Sequence, residues 1–258
     1  MKTTHTYVVG TSGYSFGDWV GTFYPEGTRQ REMFALYARH FEAVELNFTY
    51  YRMPAAETIE RMAARAPEGF EFWVKANQLT THERDRSAAP PFLEGIAPMA
   101  ESGKLAGVLL QFPQSFHRTV QTRKYLAATL ADFAAVPLAV EFRHRSWDNP
   151  ATYAGLAERD VTLVVPDVPD LSGLYRTPAR VTSRTGYLRP HSRNAGNWYA
   201  GGEARYDYSY SEAELNAFID EWERLGDQMD KAYAFFNNCH RGQAAENAEA
   251  FRRLVGQM

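Results

Sequence analysis

The sequence contains very little cysteine, since Cys239 is the single cysteine in 258 residues. No intrachain disulfide can form, and a reducing, cytoplasmic compartment is the expectation. The chain also lacks any run near the roughly 20 apolar residues that a membrane span needs. The polar segment from Met1 to Tyr7 lacks the apolar stretch of a signal peptide. We therefore expect no membrane partner.

An excess of charge of one sign is also lacking. The formal net charge is -3 and the pI is near 6.2, which argues against a coat for nucleic acid or anionic membranes but allows a local basic patch. The composition, with 45% hydrophobic and 23% charged residues, is that of a globular protein. A chain of this length suits one α/β barrel with a large core. We predict one domain over residues 1–258.

Short runs of β-branched or aromatic residues recur along the chain, and most precede a turn and a helical pattern. The predicted strands cover residues 7–10, 43–48, 71–76, 107–112, 138–142, 161–165, 187–189 and 232–236. The predicted helices cover residues 31–40, 55–67, 92–101, 119–133, 149–159, 211–225 and 244–255. At the start of the predicted helix over residues 211–225, Ser211 and Glu214 have capping-box spacing.

This alternation predicts parallel βα units and hence the α/β class. Eight strands in a chain of this length favour a single (β/α)8 TIM barrel over an open doubly wound sheet. Between Val165 and Gly186 lie Pro166, Pro169 and Gly173, and no helical stripe is present. The sixth helix is therefore expected to be short or missing.

Successive strand residues point to opposite faces, so in a barrel one set faces the helices and the other faces the interior. The set expected to face the helices is apolar: Val44, Leu46, Phe48, Phe72, Val74, Ala76, Leu138, Val140, Phe142, Leu188 and Pro190. The interior set becomes polar toward the C-terminal strand ends: Glu45, Asn47, Lys75, Asn77, Glu141, Arg143, Arg189 and His191. Gln111, Asp167 and Asn237 occupy equivalent places on three further strands.

So many charges at one height need an explanation, because burying an unpaired charge is costly. One interpretation is a hydrogen-bonded plug that closes the barrel. The other is a functional site, since barrel enzymes place their sites at the C-terminal strand ends. The number of strands that contribute charge favours the site.

Several segments together resemble the YecE-like proteins, the family called domain of unknown function 72. The matching segments are Val44–Pro54, Phe72–Ala76 with Thr81 and His82, Leu109–Pro113, Val140–Trp147, and Phe236–Asn238 followed by Asn247 and Ala248. The resemblance covers essentially the whole chain and implies a TIM barrel, without an established activity. One departure is Arg189-Pro190-His191-Ser192, where the family usually reads Arg-Leu-His-Gly. This departure predicts an altered path for the loop from Ser192 to Tyr210.

The interior set defines the candidate roles. Glu45, Glu141 and Asp167 are the candidate catalytic acids or bases, because burial can raise a carboxyl pKa toward neutrality. The candidate ligand-binding residues are Asn47, Tyr50, Lys75, His82, Gln111, Arg143, Trp147, Arg189, His191, Asn237 and Asn238. The cations among them favour a phosphate or carboxylate. They could instead form internal ion pairs, such as Glu141 with Arg189.

Aromatic residues in the loops after the strands have two interpretations. These residues are Tyr14, Trp19, Tyr50, Trp147, Trp198 and Tyr199. They could stack on a sugar or a base, or they could anchor long loops.

Other chemistries fit less well. A glycosidase needs two carboxylates flanking one bond, and Glu45 and Glu141 are expected nearly opposite each other in the ring. A divalent-metal site built from Glu45, Glu141, Asp167 and His191 would have cations as unfavourable neighbours. Cys239 lies in no nucleophile signature. The Gly10–Gly13 loop is not a Walker motif.

The sequence therefore predicts a metal-independent, cofactor-free enzyme that uses acid/base chemistry. Its substrate would be small and anionic, such as a phosphorylated sugar or a nucleotide. A module that binds a nucleotide or single-stranded nucleic acid without turnover is the first alternative, and is less favoured. A divalent-metal-dependent hydrolase or isomerase is the second. The oligomeric state is not predicted.

Overall fold

The computed structural model describes residues 5–200 and 202–257, so the first four residues of the polar N-terminus lie outside it. Eight strands are found in the described chain. They are β1 Thr6–Thr11, β2 Ala43–Leu46, β3 Glu71–Lys75, β4 Leu105–Gln111, β5 Leu138–Glu141, β6 Thr162–Asp167, β7 Thr185–Pro190 and β8 Lys231–Phe236. The helices of four or more residues with α geometry are α1 Gln30–Tyr37, α2 Phe48–Tyr51, α3 Ala56–Arg65, α4 Ala89–Glu101, α5 Val120–Asp132, α6 Pro150–Ala157, α7 Glu212–Glu223 and α8 Gln243–Leu254.

All neighbouring strands are parallel, in the order β1-β8-β7-β6-β5-β4-β3-β2. The sheet closes between β1 and β2, through a bridge from Ser12 to Glu45. The Tyr37 hydroxyl adds to this seam by donating to the carbonyl of Ala43 at 3.0 Å and accepting from the amide of Thr11 at 2.9 Å. Gly10 allows the close approach, because a Cβ there would lie 2.2 Å from the Ala43 carbonyl oxygen. The predicted single (β/α)8 barrel is confirmed.

The helices follow the predicted boundaries within a few residues. No helix lies between β6 and β7, in a segment that the structure describes throughout, so a missing sixth helix is also confirmed. The predicted capping box at the start of α7 is present, since Ser211 and Glu214 exchange hydrogen bonds. None of the described helices combines the length and apolarity needed to cross a membrane.

The end of the second strand was predicted wrongly. β2 stops at Leu46, because Asn47 adopts φ −106° and ψ −16° and turns the chain into the short helix α2. Phe48 begins that helix and is 37% exposed, so it does not pack beneath the outer helices as the alternation implied. Thr49 fixes the turn by donating to the carbonyl of Lys75 at 2.6 Å.

Two apolar layers separate cleanly and confirm the predicted faces of β3, β5 and β7. The layer between strands and helices contains Val44, Leu46, Phe72, Val74, Leu138, Val140, Phe142 and Leu188. The barrel interior is filled by Val8, Ala43, Trp73, Leu109, Ala139, Val164, Tyr187, Tyr233 and Phe235. This packing blocks the barrel axis, so a ligand can reach the interior charges only from the C-terminal end.

Candidate functional site

Two buried glutamates from opposite sides of the barrel share one arginine. Glu45 lies one residue before the end of β2, and Glu141 is the last residue of β5. Arg189 lies in β7 and contacts both glutamates. Arg189 donates from Nη2 to Glu45 at 2.6 Å, from Nε to Glu45 at 2.9 Å and from Nη1 to Glu141 at 2.8 Å. Glu45 also accepts from the Tyr187 hydroxyl at 2.6 Å and from the Asn47 amide at 3.0 Å. The three charged side chains are almost completely buried.

A second set of groups completes the ion-pair network on the Glu141 side. Arg143 contacts the carboxylate of Glu141 through Nε. Nε2 of His191 lies 3.2 Å from Oε1 of Glu141, and Nδ1 lies 2.7 Å from the side-chain nitrogen of Asn237. Nε2 also lies 3.2 Å from Nη2 of Arg143 and 3.4 Å from Nη1 of Arg189, so His191 contacts Glu141 and both arginines. Burial and the charge of Arg143 lower the pKa of His191 well below its usual value, which keeps the ring neutral.

The expectation that burial raises the pKa of the glutamates is wrong. Burial acts in that direction, but the charge of Arg189 and its hydrogen bonds outweigh it at Glu45, so the pKa is lowered. At Glu141 the opposing charges of Arg143 and Arg189 lower the pKa well below its ordinary value. Both carboxylates are therefore ionised at neutral pH and are poorly suited to exchange a proton.

Lys75 is the titratable group at the mouth of the barrel. Its side chain is half-buried and its ammonium lies 4.4 Å from the centre of the Tyr50 ring. Burial, followed by the charge of Arg189, lowers the pKa of Lys75 to about 7. Among the side chains that the structure describes, no carboxylate oxygen comes within 4.0 Å of it. Lys75 thus exchanges its proton near neutrality.

His82 lies beside Tyr50 and completes this part of the mouth. The two rings meet edge to face with centres 5.0 Å apart, and Nδ1 of His82 lies 2.9 Å from the hydroxyl of Thr81. Burial and the charges of Lys75 and Arg143 lower the pKa of His82 to about 4. The imidazole is therefore neutral at pH 7 and offers a polar group without charge.

Sequence reasoning missed Arg205, which lies on the loop between β7 and α7. Its guanidinium lies 3.9 Å from the centre of the Trp198 ring, and its Nε is buried without a hydrogen-bond partner among the described atoms. Burial and the nearby charge of Arg143 lower its pKa. Arg205 lines a cavity of about 440 Å³ that includes Tyr51, Tyr206 and His240. The loop has no periodic pattern, so the sequence carried no signal for this residue.

Three predicted site residues lie on the outer side of the strands and not in the barrel interior. Asp167 accepts three hydrogen bonds from Arg193, at 2.9 to 3.1 Å, and one from Tyr210 at 2.8 Å. Like Val165, its side chain lies on the outer side of the strands, so the prediction that it faces the interior is wrong. Asn238 also points outward and donates to Asn247 and to the carbonyl of Tyr208.

Trp147 is the third of these residues. It is buried in the outer layer, stacks on Phe142 with ring centres 4.4 Å apart, and donates to the carbonyl of Phe116. Trp19 and Trp198 are likewise buried, whereas Tyr199 is 64% exposed. The loop tryptophans therefore anchor their loops. Gln111 remains inside the barrel and donates to the carbonyl of Phe112 at 2.9 Å.

The residues considered for a nucleophilic thiol or for a metal site are not arranged for either chemistry. Burial raises the pKa of the Cys239 thiol, which opposes a nucleophilic thiolate. Across residues 5–200 and 202–257, no three His, Cys, Asp or Glu side chains are grouped so that they could hold a metal ion. A cavity of about 680 Å³ lies at the N-terminal strand ends beside Trp73 and Tyr233, away from the charged network.

The fold and the site define a TIM barrel whose C-terminal mouth is built over a buried network of two glutamates and two arginines. Comparison with known proteins shows to which family this barrel belongs. The family model described as "Protein of unknown function DUF72" matches residues 8–258. The chain belongs to this family.

Bacterial relatives match over nearly the full length. The chain is 31% identical to the UPF0759 protein YunF of Bacillus subtilis (strain 168), over 96% of this chain and 94% of YunF. A crystal structure of a DUF72 family protein from Thermotoga maritima MSB8 is 38% identical, with a TM-score of 0.90, and the match covers 97% of this chain and 99% of that one. A DUF72 family protein from Enterococcus faecalis V583 is 26% identical with a TM-score of 0.84, over 97% and 95% of the two chains.

Proposed function

We propose that this protein is an enzyme that binds a small anionic substrate at the C-terminal mouth of its barrel. Lys75, Arg143 and Arg205 form the binding cations, and Lys75 exchanges a proton with the substrate. The observation that carries the proposal is the unpaired, half-buried ammonium of Lys75 beside a network in which Arg189 is fully engaged by carboxylates. A partly buried cation without a neighbouring carboxylate lowers the stability of the fold. Its presence therefore supports a role in binding a ligand.

Charge balance supports an anion over a neutral ligand. The network pairs Glu45 and Glu141 with Arg143 and Arg189, and His191 is neutral. Lys75 and Arg205 add positive charge at the mouth. Arg189 is left out of the binding set, because both glutamates occupy it and it is 1% exposed. A phosphate or carboxylate, as on a phosphorylated sugar or a nucleotide, would offset the remaining charge.

In this proposal Glu45 and Glu141 fix the positions of Arg143 and Arg189 and do not exchange protons. Their lowered pKa values leave Lys75, with a pKa of about 7, as the group suited to acid/base work near neutral pH. The amides of Asn47, Gln111 and Asn237 are at the same level and can orient the substrate. This chemistry does not require a metal or a cofactor.

Sulfate should raise the melting temperature of the protein more than chloride does at the same ionic strength. A ligand that binds only the folded state adds about 2.7 kcal/mol at roughly a hundred times its Kd, which is about 5–10 °C for a protein of this size. Lys75→Met and Arg205→Gln should each lose the sulfate-specific part of the shift, as read by calorimetry at pH 6.5. Equal ionic strength is needed because screening alone changes charge repulsion.

Arg184→Gln is the matched control, because Arg184 forms an exposed ion pair with Asp230 far from the mouth. It should keep the full sulfate response. Equal protection by chloride and sulfate in the wild type, or an unchanged response in both mouth variants, would contradict the anion site and favour a purely structural network.

A further inference from the structure

The amine of Lys75 combines three features that a simple anion-binding cation does not need. Lys75 is the last residue of β3, its amine lies under the Tyr50 ring, and its side chain is only half-buried. Its nearest charged neighbours on the other strands are Glu45, Glu141, Arg143 and Arg189, with neutral His82 beside Tyr50. The two glutamates are already bonded to the arginines.

Burial and the charges of Arg189 and Arg143 outweigh the attraction of Glu45 and Glu141, and so suppress the charged form of the amine. The repulsion from Arg189 and Arg143, together with burial, leaves about half of Lys75 as the neutral amine near pH 7. An ordinary lysine has a pKa near 10.4, so it carries about a thousandfold less neutral amine at that pH. A desolvated lysine next to other cations is a typical activated amine nucleophile.

We propose that Lys75 forms an imine with the carbonyl carbon of a small anionic aldehyde or ketone held at the mouth. The inference rests on the anion site proposed above and narrows its substrate to one that carries a carbonyl group beside its phosphate or carboxylate. Arg143 and Arg205 would hold the anionic group, and Lys75 would face the carbonyl.

The step balances without an oxidant or a reductant. The lone pair of the Lys75 nitrogen forms a bond to the carbonyl carbon, and the electrons of the C=O π bond move to the oxygen, which takes the proton released by the nitrogen. The resulting carbinolamine takes one further proton from water and loses its oxygen as water. The product is an iminium, which has the same charge as the protonated lysine that it replaces.

Trapping with glyoxylate tests the inference directly. Glyoxylate carries an aldehyde next to a carboxylate, and sodium cyanoborohydride reduces its imine by adding hydride to the imine carbon, which leaves a stable carboxymethyl-lysine. The chain has five lysines, so peptide mass spectrometry can follow each one. At pH 7 Lys75 should be modified at least about tenfold faster than the exposed Lys124, given its larger neutral fraction. Sulfate should slow the reaction at Lys75 and leave Lys124 unchanged. Acetaldehyde, which lacks the carboxylate, should keep only the preference that comes from the neutral fraction of Lys75, and sulfate should not alter it.

A charge-preserving variant separates the imine from the anion site. Lys75→Arg keeps a cation, so it should retain a sulfate-dependent melting shift while total modification falls to that of the remaining lysines. Lys124→Met should keep the Lys75 adduct. If sulfate protects the wild type but Lys75 reacts no faster than Lys124, the imine is excluded and the anion site stands. If sulfate gives no protection either, both proposals fail. The wild-type comparison of Lys75 with Lys124 decides the matter even if Lys75→Arg does not fold.

Discussion

Arg189→Met should lower the free energy of unfolding by about 3–5 kcal/mol, because it leaves two buried carboxylates without their main partner. Arg189 donates to Glu45 and Glu141, and all three side chains are buried in the barrel. Urea unfolding followed by tryptophan fluorescence measures the loss. The large effect comes from the unpaired charges that remain, and not from the favourable energy of the pairs themselves.

Arg184→Met is the matched control for this prediction. Arg184 also makes a two-pronged contact with a carboxylate, Asp230, but the two side chains are 60% and 69% exposed. Its loss should cost no more than about 1 kcal/mol. Replacing Glu45 and Glu141 by glutamine in the Arg189→Met background should recover part of the loss. If Arg189→Met costs no more than Arg184→Met, the network does not depend on charge pairing.

Lys75→Met should stabilise the protein, by about 2–4 kcal/mol below pH 7, after allowance for the solvent that reaches the half-buried amine. The folded pKa of Lys75 is about 7, whereas an unfolded lysine titrates near 10.4. Between these two values the unfolded state binds more protons, so stability rises with pH. The charged lysine lowers the free energy of unfolding by its full amount below pH 7. This effect vanishes as the pH approaches the pKa of the unfolded lysine.

The gain from Lys75→Met should therefore be large at pH 6 and small at pH 10, as measured by urea unfolding at both values. Lys231→Met is the control, because Lys231 begins β8 and pairs with Glu71 at 2.6 Å. It should lower stability slightly or leave it unchanged at either pH. A Lys75→Met protein that is less stable than wild type at pH 6 would mean that the ammonium supports the network, and the near-neutral amine would be ruled out. Stabilisation on removal is typical of a residue kept for function.

The sequence predicted most of the fold because the strands alternate with helices and because period-two alternation separated polar from apolar residues. In β2, β3, β5 and β7 that alternation placed Glu45, Lys75, Glu141 and Arg189 inside the barrel, where the structure has them. The alternation does not predict the side on which Asp167 lies. The residues before it in β6 are apolar on both faces, so they do not show which face is interior.

The sequence left the pair of Glu141 with Arg189 open as an alternative to a ligand role, and the structure contains this pair, whereas the contact of Arg189 with Glu45 was not predicted. Glu45 and Glu141 are three strands apart and were expected nearly opposite each other, yet the narrow barrel lets one arginine side chain span both. This contact reverses the direction of their pKa shifts, and for that reason the acid/base role is proposed for Lys75. Trp147 shows a second limit, since composition cannot distinguish an aromatic loop anchor from a ligand platform. The altered path of the loop after β7 and the single-domain extent over residues 1–258 stay predictions.

The seam between β1 and β2 also affects when the barrel can close during folding. β1 pairs along its whole length with β8, from Thr6 opposite Lys231 to Thr11 opposite Phe236, while a single bridge joins it to β2. The first strand to leave the ribosome thus receives its ladder partner only when the last strand emerges. Contacts between such distant segments form late and slowly, and an unpaired strand edge invites aggregation in the meantime. Ring closure, and with it the final position of Glu45, therefore depends on contacts between β1 and β8 that form late in folding.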